Sequence, residues 1–122
     1  MVTRCKVFQG SITSADTKTP IGSAYTFPAG AKRIVAIIVT QGDEATQEPF
    51  DGYVVLEFND IHGPFEFPFG GGGFPASASG SNFINPFVIP VDIPINGGAT
   101  EVTVSAYSSG TPESITIGLV FE

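Results

Sequence analysis

At 122 residues the chain has the length of one domain, and a chain this long buries roughly two-thirds of its unfolded surface on folding. Its hydrophobic content of 42% excludes a disordered chain, and its longest apolar run, the six residues 34–39, is far short of the roughly 20 that cross a bilayer as a helix. Charged residues make up only 14% against the ~25% usual for soluble domains, so Ser and Thr, 21 in all, and contact with other copies must cover much of the surface, subunit interfaces being poor in charge.

The chain opens on cations. All five basic residues, Arg4, Lys6, Lys18, Lys32 and Arg33, fall in the first 33 positions beside a single acid, Asp16, while residues 34–122 hold eleven acids and no base. The formal charge is +4 in the first segment and −11 in the second, for a net −7. A cationic strip attracts an anionic surface, but five cations spread over 33 residues make a poor phosphate footprint beside an acidic body, which argues against nucleic acid as the partner. The better match is acidic surface on a neighbouring copy or on a larger assembly. Neutralisation by acids of the same chain is the plainer alternative. The positive start has no apolar stretch behind it, so no secretory signal is expected. Cys5 permits no internal disulfide and is expected as a small buried residue of the first strand.

Apolar residues recur with a period of two and almost nowhere with 3.6, which predicts an all-β chain. Strands are expected over 3–9, 25–27, 32–40, 52–59, 64–69, 87–95, 101–108 and 114–121, with turn residues at nearly every junction. The last is the clearest: Ile115, Ile117, Leu119 and Phe121 share one face while Thr116, Gly118 and Val120 take the other. Asn96-Gly97-Gly98 and Ser109-Gly110-Thr111-Pro112 mark short connections between the last three strands. Pro86, Pro90 and Pro94 delete backbone donors from one lateral side of the 87–95 strand, which predicts an edge strand whose odd residues face the core. Eight short strands in one domain predict an antiparallel two-sheet β-sandwich over residues 1–122, with a jelly roll preferred over an immunoglobulin-like Greek key. A basic N-terminal segment (1–33) and a Phe/Gly-rich loop (63–86) are its two unusual regions.

Eight of the eleven phenylalanines lie between positions 50 and 87. The run Phe69-Gly70-Gly71-Gly72-Gly73-Phe74-Pro75 offers no regular scaffold to bury them. Phe has no polar handle, so Phe65, Phe67, Phe69, Phe74 and Phe83 are expected at a dry protein contact, together with the five cations, or else as a plug over one end of their own sandwich.

Catalytic groupings do not emerge. His62 is the single histidine, it falls at a turn, and no Gly-x-Ser-x-Gly elbow accompanies it. One histidine cannot build a cupin-type or Cys/His zinc centre. Gly70 to Gly73 lacks the Lys-Ser/Thr ending of a phosphate loop. Asp43, Glu48 and Asp51 in the 41–52 loop supply oxygen ligands of the kind calcium takes, although their spacing matches no EF-hand. A calcium-assisted carbohydrate-binding sandwich is the alternative this loop suggests. The shortage of Trp and Tyr, the rings on which sugars stack, weighs against it.

Taken together, the short strands, the proline-spaced 87–95 segment, the closing 101–121 run, the Phe/Gly loop and the missing catalytic groups resemble the small jelly-roll coat, turret and decoration proteins of virus particles. The resemblance spans the whole length at the level of pattern. It implies a non-enzymatic protein that assembles as a trimer or pentamer, attaches to capsid protein, and resides in a virion assembled in the host cytoplasm. With no long basic arm to hold a genome, it implies a decoration or accessory role.

Overall fold

The computed structural model describes residues 3–42, 51–61, 63–70, 86–110 and 114–122. Among them there is no helix. Nine strands are present: β1 (Arg4–Gly10), β2 (Thr19–Pro20), β3 (Tyr25–Thr26), β4 (Arg33–Gly42), β5 (Gly52–Phe58), β6 (Phe65–Phe69), β7 (Phe87–Pro94), β8 (Glu101–Ser108) and β9 (Ser114–Phe121). They form two antiparallel sheets, as the sequence predicts. Sheet A has the order β1-β9-β4-β7, and sheet B the order β2-β8-β5-β6, with β3 also on β8. Sequence periodicity locates every strand except β2, whose two residues continue the line of β3 along the same side of β8.

The core lies between the sheets. Sheet A contributes the row Phe8, Ile117, Val39 and Phe87 and, beside it, Leu119, Ile37 and Ile89. Sheet B contributes Val54, Leu56, Val102, Val104 and Ala106, all of them buried. Phe8, Tyr25, Phe27 and Phe121 pack as an edge-to-face aromatic cluster, with Phe27 and Phe121 centroids 5.1 Å apart. Ile12 and Ile21, in the connection around β2, complete the core from outside the sheet ladders.

The apolar run 34–39 shows no alternation in sequence because a bulge interrupts it. Ile34 opposes Phe121, yet Ala36 opposes Val120, so Val35 is an extra residue in β4. Such an insertion resets the facing of the chain, and Ile34 and Ile37, three apart, are both fully buried.

β7 closes sheet A and, among the described residues, pairs only with β4. Its odd residues are buried or half-buried and its even residues exposed, as the proline spacing requires. The bond from the Ile95 N–H to the Lys32 carbonyl, 2.9 Å, continues the odd-side pairing past the strand end.

The run from β8 to β9 is not a hairpin. The short connection after Ser108 carries the chain from sheet B to sheet A. The turn before β8 is tied by side chains: the Thr100 hydroxyl donates to Asp60 (2.8 Å) and accepts from the Asn96 N–H (2.8 Å), and the Asn59 amide bridges Ala99 and Glu101. Gly98 has φ 87°, the positive angle expected for this turn.

One expectation fails in β1. Cys5 is exposed. β1 is an edge strand, and Phe8 claims its even positions for the core, so Cys5 shares the outer face with Val7 and Gln9.

Candidate assembly surfaces

The five cations, expected at a contact, divide into two groups. Lys18 is ion-paired with Glu57 on sheet B. The hydrogen bond to Glu57 holds the ammonium pKa above its ordinary value; desolvation opposes it, and the charges of Glu57, Tyr107 and Glu66 add to it. Arg33 makes a two-pronged contact with Glu122, its Nε at 3.0 Å and Nη2 at 2.7 Å. Lys6 lies over the rings of Phe8 and Tyr25, 5.8 and 5.2 Å from their centroids. These three are satisfied within the chain. Arg4 and Lys32 are exposed, and they line a pocket of about 340 Å³ with Phe121 and Glu122. Both described ion pairs leave them out.

Three of the phenylalanines expected at a subunit seam belong to the chain's own interior. Phe69 is 3% exposed, and Phe65 and Phe67 pack half-buried against the core. The cause is register: Phe65, Phe67 and Phe69 oppose Leu56, Val54 and Gly52 of β5, so alternation turns all three inward. Phe74 and Phe83 lie outside the described residues, as do His62, Asp43 and Glu48. Asp51 is described and exposed, and among the described residues no three His, Cys, Asp or Glu side chains converge as a cation site.

The two outer faces differ in kind. Residues directly opposite on antiparallel neighbours share a face, so the pairing of sheet A sets out two complete rows on its outside: Val7, Gly118, Ile38 and Val88, then Cys5, Val120, Ala36 and Pro90. None of these eight residues is charged or polar apart from the thiol. Val7 is 49% and Val88 55% exposed. Described charge on this face is confined to one end, at Arg33, Glu122 and Asp92. The outer face of sheet B instead carries Glu57, Glu66, Glu101, Lys18 and the half-exposed Tyr53.

Sheet B also holds a cleft that sequence reasoning missed. Tyr53 and Tyr107 are direct cross-strand partners, and with Asp16, Asp51 and Glu66 they line a cleft of about 450 Å³. Backbone bonds tether two of its acids to the end of β8: the Asp16 N–H donates to the Ser108 carbonyl at 2.7 Å, and the Ser109 N–H to the Asp51 carbonyl at 2.8 Å. Asp16 has φ 54°, a left-handed conformation that Asp tolerates better than most residues. The available signal was the outward parity of Tyr53 and Tyr107, but without the β5–β8 register it could not place them together.

No family model, no curated protein and no solved structure matches this chain.

Proposed function

We propose that the chain is a non-enzymatic structural protein that self-associates and forms or decorates the surface of a virus capsid or similar particle. The observation that carries this reading is the pair of uncharged rows on the outer face of sheet A, with Val7 and Val88 about half exposed at its two edges. A monomer gains nothing from holding two apolar rows in water, whereas a sheet face covered by another protein buries them at roughly 25 cal/mol per Å². The low charge of the whole chain, 14%, agrees with a covered surface. The non-enzymatic part rests on the sequence, with its one histidine, one cysteine and no nucleophile elbow.

Strand order supports the jelly roll within the sandwich class. Apart from β2 to β3 and β5 to β6, every connection passes from one sheet to the other, and the first strand lies beside the last. Two Greek keys wound together would give such an order, which favours the jelly-roll reading. An immunoglobulin-like sandwich keeps more of its consecutive strands as neighbours in one sheet.

Sedimentation velocity on the purified protein tests the reading. A discrete species several times the 12.7 kDa chain mass is expected, broken up by Val7→Lys combined with Val88→Lys. A protein that stays monomeric at high concentration overturns it.

A further inference from the structure

We infer that copies of this protein dock head to tail, with the Arg4 side chain of one copy entering the Tyr53–Tyr107 cleft of the next. The inference rests on the self-association proposed above and adds to the sheet A face a second, end-to-end contact. The two sites lie at opposite ends of the sandwich. Arg4 starts β1, opposite Phe121 at the end of β9, and Lys32 adjoins the start of β4. The cleft lies where β8 ends and β5 begins, at the Gly52–Ser108 pair. The short connection from β8 to β9 puts that pair at the same end as Ser114 and Gly42, the far end of the ten-residue β4. Ten strand residues span roughly 30 Å, so Arg4 cannot reach the cleft of its own chain.

The chemistry of the two ends is complementary. Asp16 and Glu66 line the cleft beside Asp51, and its described lining includes no cation. Lys18, whose charge is felt by Tyr107 and Glu66 of the cleft, is engaged by Glu57. A guanidinium matches such a site twice over. It donates in pairs to carboxylates such as Glu66 and Asp16, and its flat face stacks on an aromatic ring such as the 50%-exposed Tyr53. Arg4 is exposed, with Lys32 beside it to hold a second anion. Contacts between unlike ends are heterologous. They close into a ring where the rotation between copies allows and otherwise extend into a filament.

Two charge reversals at exposed positions test this: Arg4→Glu and Glu66→Arg, each first shown by circular dichroism to keep the wild-type fold. By sedimentation equilibrium in low salt, each variant alone should associate at least about tenfold more weakly than wild type. An equimolar mixture of the two should associate more tightly than either variant alone, because alternating copies meet opposite charges, with full recovery in a filament or even-membered ring and partial recovery in an odd-membered one. Wild-type oligomers unchanged by either reversal overturn the docking inference and leave the structural reading in place. A monomeric wild type overturns both. A glycan-array signal abolished by Tyr53→Ala, with the oligomer unaffected by the charge reversals, reassigns the cleft to saccharide and overturns the inference.

Discussion

Val7 and Val88 stand on the two edge strands of sheet A in a single cross-strand row, with only Gly118 and Ile38 between them. The row bears no charge from edge to edge, although edge strands are where natural sheets usually place one. β7 is guarded by its prolines, and β1 by Arg4 and Lys6 at its beginning. Neither device covers the face itself.

Lysine at both valines should therefore weaken association through this face without harming the fold. Both side chains project from the core and are about half exposed, so the melting temperature is expected to change by no more than a few degrees. Light scattering beside a thermal melt checks the pair. A large drop in Tm would mean that the face supports the monomer rather than a contact.

Gly97 admits no side chain. A Cβ there would sit 2.3 Å from the Pro28 carbonyl oxygen and 2.6 Å from the Ala31 nitrogen, both backbone atoms. Gly97→Ala should cost about 2–3 kcal/mol of stability, read as a lowered urea midpoint. At Gly30, where φ is 91° but nothing lies within 4 Å, alanine should cost less, through backbone strain alone.

Leu119 is fully buried in the central strand β9, between β1 and β4. Leu119→Ala should destabilise by about 2–5 kcal/mol. Val120, one residue on, faces outward and is half-buried, so Val120→Ala should cost far less in chemical denaturation. A similar loss at both sites would contradict the assigned faces.

Lys18 sets a pH dependence at the alkaline end. Its pKa is raised in the fold by the hydrogen bond to Glu57, so its stabilising contribution is fully present below the ordinary lysine range and is lost as pH rises through the folded-state value. Comparing the melting temperatures of wild type and Lys18→Met from about pH 8 to about pH 11.5 should show a small difference that closes only at the top of that range. Because both partners are well exposed, added salt should shrink it too.

Much of this fold was legible in the residues. β8 and β9 were readable because each packs one face on the core, which stamps a period of two on the chain, and β7 because three prolines of one parity leave a single side able to pair. β2 was not, since two residues carry no period. The bulge at Val35 hid the phase of β4 by placing two inward isoleucines three apart. The Phe-rich stretch left a dry contact and burial in its own sandwich both open, because composition does not encode register; the pairing of β6 with β5 turns Phe65, Phe67 and Phe69 inward.

The chain by itself determined its class, its strands and the imbalance of its charges, because alternation, proline geometry and composition act over a few neighbouring residues. Tertiary structure alone decided that β8 and β9 belong to different sheets, that Tyr53 lies opposite Tyr107, that Cys5 faces outward, and that two rows free of charge run side by side across the outer face of one sheet. Each of those depends on which strand lies beside which, and strand pairing joins residues tens of positions apart whose register no local pattern encodes.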